Sequence, residues 1–218
     1  MKKLSDTQEE VIRWWKSNGR AFPWRSRHDT YSTLVAEVLL HRTRAENVAM
    51  VYPAFMKSFE TVDALARAKK ESVLNIVRPL GLVWRAEMLF DAANVIKSKF
   101  DGVVPLDQAR LESLPGIGQY IRSAVRVFSG GFEDELIDTN TVRIICRVYG
   151  MPMTDSTRRS NNIRALYSRL RNNADPRAFG YAMIDLASSV CRPRMPMCES
   201  CPLIRSCKTG ASRLSHFH

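Results

Sequence analysis

The stretch "LPGIGQYIRSAV", residues 114–125, sets glycines on both sides of Ile117 between two apolar-periodic segments. Glycine permits positive φ and close backbone approach, so Gly116 and Gly118 predict a tight corner between two helices. The backbone amides opening the second helix are then exposed at its positive dipole end, where an anion is favoured. A phosphate reaching them would meet no side chain at either glycine. Two readings follow from these residues alone. The corner is an ordinary helix–turn–helix connection, or it is a backbone anion cradle running from Leu114 through Gly116, Ile117 and Gly118 to Gln119.

Outward from this corner the pattern is helical almost throughout. Ser5 and Gln8 form a capping box before a helix carrying Val11, Ile12, Trp14 and Trp15, which Gly19 stops. "RAFPWRSRHDT" (20–30) is a basic, aromatic loop, and "YSTLVAEVLLHRT" (31–43) is a helix with Leu34, Val35, Val38 and Leu39 apolar. Apolar periodicity predicts further helices over 44–58, with Pro53 inside it, 61–78, 84–99, 107–113 and 119–128. Others cover about 139–149, 160–172 and 176–190. Val103–Val104–Pro105 is too short to imply a sheet, so the fold class is all-α.

Of the 218 residues 45% are hydrophobic, enough to fill one large core or two small lobes. Thirty-three Lys and Arg against 22 Asp and Glu leave a net charge of +11. Such an excess points to a polyanion, nucleic acid first and an anionic membrane surface second, against the plain alternative of a soluble basic protein. No stretch approaches the roughly 20 apolar residues of a membrane span, and "MKKLSDTQEE" lacks the apolar core of a secretory signal. An intracellular protein is expected. Beside this charge, the corner reads better as a contact to the backbone of DNA.

Four of five cysteines, Cys191, Cys198, Cys201 and Cys207, fall in the spacing C-x6-C-x2-C-x5-C. In a reducing compartment such clustering signals metal ligation. A zinc ribbon usually brings two short Cys pairs apart in sequence, while an iron–sulfur cluster takes four thiolates, so spacing leaves both open. Arg192 and Arg194, between the first two ligands, would be displayed to phosphates. Cys146 lies on an apolar helix and is expected in the core.

"LPGIGQYIRSAV" resembles the hairpin of the helix-hairpin-helix DNA glycosylases, the group of endonuclease III, the MutY adenine glycosylase and the thymine/uracil mismatch glycosylases. "AEVLLHRTRA" (36–45), "LIDTNTVRIICRVYG" (136–150), "FGYAMIDLASSVC" (179–191) and the cysteine cluster follow in family order, so the resemblance covers nearly the whole chain. It implies a six-helix domain over 22–132 and a second domain of 1–21 with 133–218 that carries a [4Fe–4S] cluster on the four cysteines. It also implies a DNA phosphate on the hairpin amides, with a monovalent cation, sodium or potassium, on the hairpin carbonyls. Base release transfers no electrons, so the cluster is read as structural.

Breaking an N-glycosidic bond builds positive charge on the sugar, which a carboxylate stabilises while orienting water. By residue type and place Asp138 reads as a helix N-cap; the resemblance makes it the catalytic aspartate, with Asn140 beside it in the MutY and thymine-glycosylase branches. Glu37, amid Leu34, Val35, Val38 and Leu39, matches the glutamate that protonates the departing base. Tyr120 stands where endonuclease III has a Schiff-base lysine. A phenol forms no imine, so the resemblance implies a monofunctional enzyme with Tyr120 packed against the flipped nucleoside. A flipped base leaves a gap, for which His41, Arg42 and Thr43 or the Leu82–Val83 pair in "GLVWRAE" are the fillers. Trp24 and Arg25 resemble residues lining a base pocket, with a core position as the alternative for Trp24.

The expected substrate is double-stranded DNA bearing thymine or uracil opposite guanine, acted on by a monomer in the cytoplasm at the nucleoid. "LLHRTRA" is nearer the thymine-glycosylase motif than the Gln-rich MutY one, and the chain stops soon after the cluster. Adenine release opposite guanine or 8-oxoguanine is the alternative. A non-catalytic DNA-binding scaffold follows it, and a redox carrier is a weaker third.

Overall fold

The computed structural model describes residues 7–81 and 83–215, and these form twelve α-helices with no strand among them. The helices divide between two compact units, one spanning Ala21–Phe132 and the other the chain on either side of it.

In the unit of Ala21–Phe132, α2 (Thr30–Leu40) is the central element. Asp29 caps it by accepting from the Ser32 amide, and residues Tyr31 to Leu39 are all buried. A helix buried on every side must be enclosed by its neighbours. α3 (Ala45–Ser58), α6 (Trp84–Lys99) and α8 (Gln119–Gly130) pack around it. Leu34, Leu39, Phe55, Leu89, Ile96 and Val125 meet in one continuous core. α7 (Gln108–Glu112), capped by Asp107, leads into the hairpin before α8.

The periodic segment 61–78 is broken into α4 (Val62–Ala66) and α5 (Lys70–Val77). The Arg67 amide closes the first on Asp63 O, and Lys69 is extended (φ −71°, ψ 127°). Both pieces pack on α6, and Val62, Leu65, Val73 and Val77 are buried. α2 also ends at Leu40, so His41, Arg42 and Thr43 form a turn and not the helical end their sequence suggests.

The second unit joins α1 (Thr7–Asn18) to α9 (Thr139–Tyr149), α10 (Asn161–Arg171), α11 (Pro176–Ser189) and α12 (Lys208–Ser215). α1 packs on α11, with Trp15 stacked on Tyr181. Asp185, wholly buried, accepts from Trp15 Nε1 (3.0 Å), the Arg20 amide (3.0 Å) and Arg20 Nε (2.8 Å). These donors supply the compensation a buried carboxylate requires. α12 had no warning in the sequence beyond the cysteines. The Ser5 side of the capping box lies outside the described residues.

Candidate active site and nucleic-acid interface

The hairpin is built in the unit of Ala21–Phe132. Gly116 has φ +73°, which disfavours any residue with a Cβ, and such a Cβ would lie 1.9 Å from the Met88 sulfur. The Ile117 amide then bonds back to Leu114 O (3.2 Å). Gly118 is the N-cap of α8 in extended conformation (φ −82°, ψ 173°) and supplies no side-chain cap. Nothing lies within 4 Å of where its Cβ would stand, so the approach to the first turn of α8 is open. Leu114 and Ile117 point into the core, leaving only their backbone for a ligand, while Gln119 is exposed. Arg122 on α8 bonds Glu112 on α7 (2.5 Å), tying the arms together.

Glu37, mid-way along α2, is buried at 6% exposure. This departs from the solvated position ordinary for a helix glutamate. Tyr120, in the first turn of α8, is half-buried against the core of the same unit. Trp24 is a core residue, 5% exposed, stacked on Phe22 at 4.8 Å and edge-on to Tyr52 at 5.7 Å. That packing fits the core position that the sequence analysis kept as the alternative for Trp24. Arg25 lies over the Phe22 ring at 5.3 Å.

The 41–44 turn is organised by a residue that sequence reasoning missed. Arg85, fully buried, donates to Leu39 O, His41 O, Leu80 O and the Thr43 hydroxyl. Thr43 is thereby engaged in holding the turn. Arg42 has φ +60°, the left-handed region uncommon for a non-glycine residue. Burial and the neighbouring Arg42 and Arg85 charges hold the His41 imidazole below the usual histidine value. Leu82 lies outside the described residues.

In the second unit, Asp138 caps α9. Its Oδ1 accepts from the Thr141 amide (2.7 Å) and its Oδ2 from Asn140 Nδ2 (2.8 Å). Asn140 Oδ1 accepts in turn from the buried Arg143 (3.1 Å), whose other nitrogens donate to Cys191 O (2.9 Å) and Ala187 O (3.0 Å). Arg143 gave no sign in the sequence, since arginine on an amphipathic helix is usually solvated. Its position nevertheless fixes both the Asn140 carboxamide and the chain at the first cluster cysteine.

Cys191, Cys198, Cys201 and Cys207 line one small cavity with Val190, Pro196, Met197 and Ile204. Burial pushes the Cys201 thiol up to about 12, with the other three cysteines adding to the rise. Thiols in such surroundings stay protonated unless a metal takes the proton's place. Among the described residues, no group of three or more His, Cys, Asp or Glu is arranged to hold a single metal ion. Arg147 donates to the Cys191 sulfur (3.3 Å) and to the carbonyls of Arg192 and Pro193 (both 2.7 Å). Arg192 and Arg194 are exposed on that loop. Cys146 is buried on α9, as expected.

Residues 35–168 match the model of the HhH-GPD superfamily of base excision DNA repair proteins. The chain belongs to that superfamily. The HhH-GPD match includes Glu37, the hairpin and Asp138, whereas the four clustered cysteines lie beyond it. Over 94% of both chains it is 34% identical to a thymine-DNA glycosylase of Aeropyrum pernix. A thymine/uracil-DNA glycosylase of Pyrobaculum aerophilum is 32% identical over 90% of this chain and 87% of its own. Among solved HhH-GPD folds, a thermostable thymine-DNA glycosylase superposes with a TM-score of 0.88 at 28% identity, covering 97% of this chain and 98% of the other. No helix among the described residues is long and apolar enough to cross a membrane.

Proposed function

We propose that this HhH-GPD protein is a monofunctional DNA glycosylase that releases thymine or uracil paired with guanine. The observation that carries the chemistry is the Asp138 carboxylate, held through both oxygens by Thr141 and Asn140 with Arg143 behind. The two thymine- and thymine/uracil-DNA glycosylases at 34% and 32% identity support the choice of base.

In this reading the C1′–N1 bond breaks as water attacks C1′. Asp138 stabilises the positive sugar and takes the water's proton. The departing base leaves with the bonding pair and receives a proton, a role assigned to Glu37, buried mid-way along α2. Tyr120 has no amine with which to form an imine at C1′, so the strand remains intact. The open approach at Gly118 suits a backbone phosphate on the first amides of α8, with a sodium or potassium ion on the hairpin carbonyls.

One buried and three half-buried thiols around one cavity supply the four thiolates that a [4Fe–4S] cluster takes. Cys191, Cys198, Cys201 and Cys207 would hold it. When bound, such a cluster supplies cross-linking of the 191–207 loop; the chain's own residues display Arg192 and Arg194 from it. We read the protein as a monomer acting on duplex DNA.

The deciding experiment is a panel of duplexes carrying T·G, U·G, A·G and A·8-oxoguanine pairs. Base release from the first two, leaving strands that break only after alkali, is the expected result. Release from the adenine pairs alone would transfer the chain to adenine repair. Borohydride trapping of wild-type protein on DNA would end the monofunctional assignment.

A further inference from the structure

A cavity of about 530 Å³ opens between α1 and the turn that follows α10, both within the unit that carries the clustered cysteines. Its volume suits a small-molecule ligand. None of its lining residues belongs to the hairpin, the cysteine cluster or the groups assigned to base release. Residues four apart on a helix share a stripe, so Gln8, Ile12 and Lys16 line the cavity in one row, with Glu9 and Arg13 in the row beside it. From Gln8 to Lys16 the row runs about 12 Å along the helix axis. The chemistry changes in order over that length. Carboxamide and carboxylate oxygens come first, then an apolar side chain, then two cations.

Gln8 is only 7% exposed, and its Oε1 has no hydrogen-bond partner. A buried oxygen of this kind ordinarily finds a donor, because leaving the bond unmade is costly. Arg13 and Lys16 are exposed and enter no ion pair among the described residues. From the α10 side, Asn172 has φ +51° and ψ −128°, a conformation that strains any residue with a side chain. The Ala174 amide closes this turn on Arg171 O (3.1 Å), and Asn172 and Asn173 are exposed on it where it lines the cavity. One end of the cavity thus lacks a donor, and the other lacks an anion.

We infer that this cavity binds a nucleoside 5′-monophosphate, as a free nucleotide or as the terminal unit of a strand. The phosphate lies on Arg13 and Lys16, the base edge meets Gln8 and Glu9, and Ile12 packs on the part between. A lone phosphate would use the cationic end and leave Gln8 Oε1 without its donor. An amino acid separates its two charges by too few bonds to reach both ends. A triphosphate would carry more negative charge than two cations neutralise, with Glu9 nearby. The base must donate to both acceptors at the Gln8 end. Guanine does so with N1–H and the N2 amino group side by side, whereas thymine offers a single N3–H between two carbonyls. Guanine is therefore the preferred base.

The test is titration calorimetry of the full-length protein with dGMP, dTMP, deoxyguanosine and inorganic phosphate, alongside one single strand bearing either a 5′-phosphate or a 5′-hydroxyl. dGMP should bind saturably with a Kd below about 1 mM, and the other three small ligands at least about tenfold more weakly. Arg13→Ala with Lys16→Ala changes two exposed residues, so the protein should fold as the wild type while dGMP binding weakens at least about tenfold. Gln8→Leu keeps the side-chain size and removes the oxygen that has no donor. Its melting temperature should hold or rise while dGMP binding falls. A preference for the 5′-phosphate strand that disappears in the double variant, without binding of free dGMP, assigns the cavity to a strand terminus. Absence of both dGMP binding and that preference overturns the inference. Phosphate binding as tightly as dGMP, or dGMP binding that survives both variants, overturns it as well. No residue of the cavity takes part in base release, so a silent mismatch panel defeats the glycosylase reading and leaves these titrations to decide the cavity alone.

Discussion

The Asp138 carboxylate accepts from the Thr141 amide through Oδ1 and from the Asn140 carboxamide through Oδ2, so one side chain both caps α9 and presents a fixed negative charge. Sequence alone posed these as rival roles, yet the geometry satisfies the first and leaves the second open to it. This makes a clean separation testable. Asp138→Asn keeps a good N-cap and almost the same shape, so folding stability should change by no more than about 0.5 kcal/mol. Base release should fall by roughly a thousandfold or more, because charge and basicity are lost while lesion binding persists. Single-turnover rates alongside binding isotherms decide it, and wild-type-like turnover would move the catalytic carboxylate elsewhere, to Glu37 first. Arg143 and Arg85 explain why other site residues were illegible. Each is a buried arginine that donates to backbone carbonyls from distant sequence, and neither periodicity nor charge pattern marks such a position.

At the scale of elements, the hairpin separates two glycines that look alike in sequence. Gly116 is required by its backbone, with φ +73° and the Met88 sulfur against it. Gly118 has ordinary extended dihedrals and empty space where a side chain would go. Gly116→Val should therefore cost stability, on the order of 1–3 kcal/mol from strain and displacement of Met88. Gly118→Val should fold nearly as the wild type and yet bind every duplex less well, since a branched side chain would stand over the phosphate approach. Thermal melts and paired-duplex affinities distinguish the two, and loss confined to lesion DNA in Gly118→Val would contradict a backbone-reading hairpin. Most helices were legible from apolar periodicity because α6, α8 and α9 bury regular faces. The exceptions have local causes. The 61–78 segment keeps its periodicity but breaks at Arg67–Lys69, where both halves pack against α6. The end of α2 depends on Arg85, 42 residues from Thr43, and no window of local sequence contains that bond.

For the whole chain, the net charge of +11 is a statement about association with a polyanion. Each phosphate neutralised contributes about −0.9 to the slope of log affinity against log salt. Four such contacts already predict roughly a hundredfold weakening between about 50 and 200 mM salt. The structure adds a more discriminating expectation through the 191–207 loop. Arg147 grips the Arg192 and Pro193 carbonyls, so the loop that exposes Arg192 and Arg194 is held at its base by α9. If both exposed arginines contact phosphate, Arg192→Ala with Arg194→Ala should flatten the slope by about 1.8 on paired and mismatched DNA alike. Removing the proposed cluster should have the same sign, because a loop freed from its four ligands no longer presents the two charges together. Protein purified without oxygen should carry about four iron per chain, the content of a [4Fe–4S] centre. Stoichiometric zinc in its place would remove the cluster from this account, and an unchanged salt slope in the double variant would remove the loop from the DNA interface.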